Sequence, residues 1–131
     1  MSSYRVDLLL VEDDLQLRLL IHAILTESGY SIRSAHDGLS GLAEIRRAVP
    51  DIILSDLHMP GMSGFDFLSH VREKFPDIPL IAMSSAYTGS KIPAGVVADA
   101  FYEKATSIDN LLHVIETQNP RPELSGIRHP N

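Results

Sequence analysis

The feature that most constrains the fold is an alternation between short strand-like runs and segments with helical periodicity. The strand-like runs are aliphatic or alternate in period two, and they are bounded by glycine, proline or acidic residues. The predicted strands are Val6 to Val11, Tyr30 to Ala35, Ile52 to Ser55, Ile78 to Met83 and Ala100 to Glu103. Strands that alternate with helices indicate an α/β fold, with a doubly wound parallel sheet covered by helices on both faces.

The helical segments differ in how strongly they are predicted. Four of them carry apolar residues at helical spacing or begin at a good cap: residues 15–28, 39–49, 64–74 and about 107–117. The segment 86–97 contains Gly89, Pro93 and Gly95. An interior proline costs about 3 kcal/mol and a glycine about 1 kcal/mol relative to alanine. We therefore expect a short or distorted helix there.

Composition limits the class of protein. The chain has 131 residues, enough for one domain, and its net charge is −6 from 11 basic and 17 acidic residues. An acidic chain without a clustered basic face is not expected to bind nucleic acid. It contains no cysteine, which excludes disulfides and cysteine-based zinc sites or catalysis. We find no signal-peptide pattern and no long apolar stretch, and so expect a cytoplasmic protein that does not contact membranes.

The C-terminal segment has a different composition from the rest of the chain. Residues 119–131 are rich in proline and contain few apolar side chains. We expect a folded domain over residues 4–118, followed by a flexible tail or linker.

Chemically useful side chains follow four of the predicted strands. Glu12 and Asp13 come after the first strand, Asp56 after the third, Ser84 after the fourth and Lys104 after the fifth. Each has a simpler explanation when taken alone: acidic residues often cap helices or precede turns, Ser84 could be a core hydroxyl with its hydrogen bonds satisfied, and Lys104 could be a solvated surface amine. Parallel strands, however, bring their carboxyl ends to one edge of a sheet, where open α/β proteins bind ligands. The joint pattern predicts a divalent-cation site containing a possible nucleophile.

The order and spacing of these residues resemble the receiver domain of two-component response regulators, over about residues 4–118. The turn Asp-Leu-His-Met-Pro-Gly-Met-Ser-Gly, which starts at Asp56, is part of that resemblance. The resemblance implies a flavodoxin-like sheet of strand order 2-1-3-4-5. The site would lie at the switch point between the first and third strands.

The resemblance also implies a role for each site residue. Asp56 would accept a phosphoryl group, and Mg²⁺ would be held by Asp13, Asp56 and the backbone carbonyl of His58, with Glu12 acting through water. Lys104 would pair with a phosphoryl oxygen. The protein would promote its own phosphorylation and dephosphorylation without turning over a separate substrate.

Signal output would follow from movement near the site. In the family, a hydroxyl residue, here Ser84, moves toward the phosphate and couples to an aromatic residue, here Phe101. The altered face would comprise the fourth predicted helix, the fifth strand and the last helix. The implied partners are a sensor histidine kinase or phosphotransfer protein and a downstream protein target. The implied oligomeric state is a monomer or a weak, phosphorylation-dependent dimer.

Two other functions remain open at this level. Ala105 stands where the family usually has a proline with a cis bond, which together with the irregular segment 86–97 suggests a pseudo-receiver with an inert site. A haloacid-dehalogenase-like phosphatase would use Asp56 as its nucleophile. Those enzymes normally need a second aspartate two residues later, where this chain has His58.

Overall fold

The core of the protein is a parallel sheet of five strands. The computed structural model describes residues 5–89 and 91–122. The strands are β1 (Asp7–Val11), β2 (Ser31–Ala35), β3 (Ile52–Asp56), β4 (Leu80–Ser84) and β5 (Ala100–Glu103). All neighbouring strands are parallel and their order is β2-β1-β3-β4-β5. The predicted fold class and strand order are therefore confirmed.

Four helices pack on the sheet, each starting at a polar cap. They are α1 (Leu15–Glu27), α2 (Gly38–Arg47), α3 (Gly64–Lys74) and α4 (Ile108–Gln118). The caps are Asp14, Asp37, Ser63 and Ser107, and each side chain accepts a hydrogen bond from a backbone N–H three residues later. Each cap satisfies a donor that the first helical turn cannot pair internally.

The two faces of the sheet carry separate apolar layers. Alternate residues of each strand point to opposite faces, so the buried strands β1, β3 and β4 supply both layers. One layer packs α1 and α4 through Ile21, Leu25, Leu111 and Ile115. The other packs α2 and α3 through residues that include Ile45, Phe67, Leu68 and Val71. This arrangement leaves the carboxyl edge of the sheet free for a site.

The prediction of a helix over residues 86–97 is wrong. In the residues described between β4 and β5, the chain forms turns and irregular backbone and no helix. Gly89 and Gly95 have φ angles of 85° and 84°, in the left-handed region that helices exclude, and Pro93 lies between them. The segment still contributes apolar cover, because Ile92 and Val96 pack against the core layer of α2 and α3.

Two further features of the sequence can be compared with the structure: the peptide bond after Lys104 and the segment after α4. The Lys104–Ala105 peptide bond is trans. After α4, Asn119 is buried and the Arg121 guanidinium lies 3.3 Å from the Asp51 carboxylate. The rest of the predicted tail, residues 123–131, lies outside the described residues, as does residue 4. No helix in the described part of the chain is long and apolar enough to cross a membrane.

Candidate phosphorylation site

The carboxyl edge of the sheet brings the predicted acidic residues together. β1 and β3 are adjacent, with Val11 opposite Ser55, so Glu12 and Asp56 each lie one residue beyond the same register position. Asp13 lies next to Glu12 in the turn before α1. Oxygen atoms of Glu12, Asp13 and Asp56 all lie within 4.8 Å of one another. Asp13 is exposed, whereas Glu12 and Asp56 are buried.

Lys104 connects the two buried carboxylates. Its Nζ atom lies 2.8 Å from Glu12 Oε1 and 3.1 Å from Asp56 Oδ2. The Lys104 side chain is 16% exposed, and those of Glu12 and Asp56 are only 1% and 5% exposed. A buried carboxylate needs a partner, and one ammonium group serves both. The fifth strand thus delivers its cation to the carboxylates of the first and third strands, as the sequence predicted.

Burial and pairing shift the pKa values of this cluster. Burial raises the pKa of Glu12 above its ordinary value of 4.5, although the hydrogen bonds from Lys104 and the Asp14 N–H oppose that shift. Burial acts to lower the pKa of Lys104, but the hydrogen bond to Glu12 and the charge of Asp56 outweigh it. The pKa of Lys104 is therefore raised above 10.5. The lysine is charged at neutral pH and available to an incoming anion.

The donor set fits Mg²⁺. This ion prefers hard oxygen ligands at 2.0–2.1 Å and is commonly held by one or two carboxylates plus water. Two oxygens bound to one such ion lie at most about 4.2 Å apart, so a group within 4.8 Å needs only small side-chain movements. His58 lies beside this group, where its N–H points at Asp56 Oδ1 from 3.3 Å. Its backbone carbonyl remains a predicted ligand.

The start of α3 packs directly against Asp56. The Gly64 N–H donates to the Leu57 carbonyl at 2.9 Å. A Cβ atom at Gly64 would overlap the Asp56 carbonyl oxygen and the Leu57 backbone. The glycine that ends the motif starting at Asp56 is therefore needed for this close approach, which fixes the backbone on the far side of the site.

Ser84 occupies the strand end beside Asp56. Met83 is the register partner of Asp56, and Ser84 follows it, fully buried. Its Oγ accepts a hydrogen bond from the Ala86 N–H at 2.9 Å, and its carbonyl accepts one from the Lys104 N–H at 3.0 Å. The Ser84 hydroxyl is thus hydrogen-bonded to the first turn of the irregular segment. The Ser84 backbone is hydrogen-bonded to Lys104, which supplies the positive charge.

Aromatic rings connect the site to the predicted switch residue. Phe101 is 2% exposed, and its ring meets Tyr87 edge to face at 6.5 Å between centroids. Tyr87 in turn is stacked beside His58 at 6.2 Å, and His58 contacts Phe65. Sequence reasoning missed Tyr87, because its only signal was a position three residues after Ser84 in a segment expected to be helical.

The family comparison agrees with this geometry. The family model described as "Response regulator receiver domain" matches residues 8–116. The chain belongs to the response regulator receiver family. Receiver domains act as signalling switches in two-component systems rather than as enzymes that turn over a substrate. The resemblance to receiver domains that the strand-end residues indicated is therefore confirmed.

Curated relatives support the same assignment. The chain is 31% identical over 109 residues to the probable transcriptional regulatory protein TcrX of Mycobacterium tuberculosis, covering 82% of this chain and 47% of TcrX. It spans less than half the length of the curated relatives that it matches.

Solved receiver structures have the same fold. The chemotaxis response regulator CheY4 of Vibrio cholerae superposes with a TM-score of 0.80 at 27% identity, covering 87% of this chain and 98% of that one. TrrA of Thermotoga maritima, in complex with Mg²⁺ and BeF, gives 0.79 at 26% identity, covering 86% and 98%. A structure of the histidine kinase ThkA in complex with TrrA matches with a TM-score of 0.78 at 27% identity. The match covers 86% of this chain and 97% of that one.

Proposed function

We propose that this receiver domain accepts a phosphoryl group on Asp56 in a Mg²⁺-dependent reaction and thereby changes its binding to a partner protein. The observation that carries the proposal is the contact of one partly buried lysine with two buried carboxylates, beside a third. A buried ion pair of this kind contributes little to stability. It is, however, the arrangement that a nucleophilic carboxylate needs when a dianionic phosphoryl group approaches.

The residues have distinct roles in the transfer. An Asp56 oxygen attacks the phosphorus atom, an O–P bond forms, and the bond from phosphorus to the donor's nitrogen or oxygen breaks with its electrons going to the donor. Lys104 exchanges a carboxylate for a phosphoryl oxygen. A Mg²⁺ ion held by Asp13, Asp56 and the His58 carbonyl, with Glu12 through water, would neutralise phosphoryl charge. The Ser84 hydroxyl donates a hydrogen bond to a phosphoryl oxygen.

The change reaches the surface through the segment after β4. When the Ser84 hydroxyl turns toward the phosphoryl group it gives up the Ala86 N–H, so the first turn of the irregular segment is released. Tyr87, 37% exposed, lies in that turn against Phe101. The output face therefore consists of this non-helical segment, β5 and α4, and it lacks the fourth helix that the sequence led us to expect.

The phosphodonor is a sensor histidine kinase or a phosphotransfer protein in the cytoplasm. The support comes from the structure of TrrA bound to a histidine kinase and from an exposed apolar strip beside the site. Leu15 and Leu19 lie one turn apart on α1, are 57% and 59% exposed, and follow directly after the acidic turn. A helical partner that buries these leucines would present its phosphohistidine to Asp56.

The target is a downstream protein or a further domain. The relatives that it matches include transcriptional regulatory proteins of which the matched region covers only 19% and 47%. The net charge of −6 makes direct nucleic-acid binding by this domain unfavourable. We propose that the domain is a monomer or a weak dimer that forms on phosphorylation.

Intact-mass spectrometry after incubation with acetyl phosphate and Mg²⁺ tests the proposal. Wild type and Asp109→Asn, which removes an exposed carboxylate on α4, should each gain one phosphoryl group. Asp56→Asn, or wild type with EDTA, should gain none. Wild type that stays unmodified with acetyl phosphate and with kinase donors would favour the pseudo-receiver, whose partner affinity would be the same in Asp56→Asn. Steady hydrolysis of a phosphate ester would instead favour the phosphatase.

A further inference from the structure

Arg18 contacts the backbone of both acidic residues in the turn after β1. It lies on the first turn of α1 and is partly buried. Its Nη1 atom donates to the Glu12 carbonyl at 2.8 Å and approaches the Asp13 carbonyl at 3.5 Å. Both contacts reach main-chain oxygens, so the guanidinium fixes the peptide groups that carry the carboxylates and leaves the carboxylates themselves available.

The other contacts of this turn show why such a clamp matters. The Glu12 N–H donates to the Ala35 carbonyl, which fixes the amide side of Glu12 only. The Asp14 N–H is held by Glu12 Oε2 at 3.0 Å, a carboxylate oxygen of the site itself. A metal that attracts Glu12 would loosen that hydrogen bond. Arg18 is then the contact that holds the Glu12 and Asp13 carbonyls without using a site carboxylate.

We propose that Arg18 is a positioning residue for the cation site: it fixes the backbone of Glu12 and Asp13 so that their carboxylates are arranged before Mg²⁺ binds. This inference rests on the proposed function, because it concerns the same cation. Residues that orient metal ligands typically contribute tenfold or more to metal affinity. Arginine suits the task because its planar group holds its donors in a fixed geometry.

The charge of Arg18 acts in the opposite direction, and salt separates the two effects. A guanidinium near the site repels Mg²⁺, so its removal alone should tighten binding. Screening shortens the range of that repulsion from about 8 Å at 0.15 M salt to about 3 Å at 1 M, whereas the hydrogen bonds to the carbonyls are retained. The geometric contribution should therefore be clearest at high salt.

The test is a titration of the full chain with MgCl₂ at 0.15 M and at 1 M KCl. Binding is monitored through the amide NMR chemical shifts. Arg18→Ala should raise the Mg²⁺ dissociation constant about tenfold at 1 M KCl and by less at 0.15 M. Arg18→Lys should recover part of the loss, because it retains one donor. Arg47→Ala removes an arginine that is 66% exposed on α2, and it should match wild type.

Three outcomes overturn the inference. In the first, Arg18→Ala binds Mg²⁺ as tightly as wild type at both salt concentrations, even if its thermal midpoint falls, and Arg18 is then merely structural. In the second, Arg18→Ala does not fold, and Arg18→Met, whose long side chain has no donor, folds and binds Mg²⁺ as tightly as wild type does. In the third, wild type shows no Mg²⁺ binding, which also overturns the proposed function; in the first two the proposed function stands.

Discussion

Lys104 is the residue whose environment is expected to change most on phosphorylation. It contacts Glu12 and Asp56 at once, and neither carboxylate has more than a few per cent of its side chain exposed. If the phosphoryl group and a cation enter, the lysine exchanges carboxylate contacts for a phosphoryl oxygen and the cation replaces it at the acidic group. The pairing seen here is then a resting arrangement that offsets part of the negative charge of the carboxylates until the ligands arrive.

A second residue allows a pH-dependent test that is independent of the site. Asp37 caps α2, and the Ser40 N–H that it accepts at 2.8 Å lowers its pKa below the ordinary value of 3.8. A carboxylate whose pKa is lowered by folding stabilises the folded state at pH values above its pKa in the unfolded chain. That contribution is lost as the pH falls through its pKa in the folded state. Asp37→Ala should therefore cost about 1 kcal/mol of unfolding free energy at pH 7.

Urea denaturation across pH checks this expectation. The difference between wild type and Asp37→Ala should narrow below pH 3.8. Asp37→Asn retains a neutral capping group, so its advantage over Asp37→Ala should not change over the same range. A gap between wild type and Asp37→Ala that stays constant down to the acid limit would show that the carboxylate charge does not stabilise α2.

At the level of elements, α1 has an unusual surface for a helix that packs on a sheet. Ile21 and Leu25 are buried against the sheet, while Leu15, Leu19 and Leu20 are each more than half exposed. Single exposed leucines are common, but Leu15 and Leu19 share one strip that starts at the acidic turn. This places the apolar strip where a partner could reach Asp56.

The strip gives a prediction about phosphotransfer. The double variant Leu15→Ala/Leu19→Ala should reduce kcat/KM for transfer from a kinase that phosphorylates wild type by about fivefold or more, because burying a leucine side chain contributes about 1.5–3 kcal/mol. Its phosphorylation by acetyl phosphate should not change. Val49→Ala, which alters a 55% exposed residue after α2, serves as the matched control. An equal loss with both donors would show that the substitutions damage the site instead of docking.

The segment between β4 and β5 is the element that sequence reasoning predicted least well. Its composition indicated that a regular helix is unfavourable, since Gly89, Pro93 and Gly95 disfavour helical backbone. The alternation of strands and helices nevertheless favoured one there. Tertiary contacts decided the outcome: Gly89 donates to Glu103 at 2.8 Å, and Ile92 and Val96 cover the sheet without helical backbone. Contacts of this kind join distant parts of the chain and leave no local pattern.

For the whole molecule, the sequence predicted the fold and the strand-end residues for one physical reason. In a doubly wound parallel sheet, the position of a residue along its strand determines the edge at which it emerges. That rule alone brings Glu12, Asp56 and Lys104 together. It says nothing of side-chain partners within the edge, so the Arg18 clamp and the stack of Tyr87 beside His58 could be found only from the structure.

The most direct measurement is a crystal structure of the full chain with Mg²⁺ and beryllium fluoride, which mimics a phosphoryl group. We expect beryllium fluoride on Asp56 and Mg²⁺ bound by Asp13, Asp56 and the His58 carbonyl. Lys104 should have moved from Glu12 to a fluoride. A structure with no beryllium fluoride on Asp56 at saturating concentrations, and with Lys104 still bridging Glu12 and Asp56, would contradict the account.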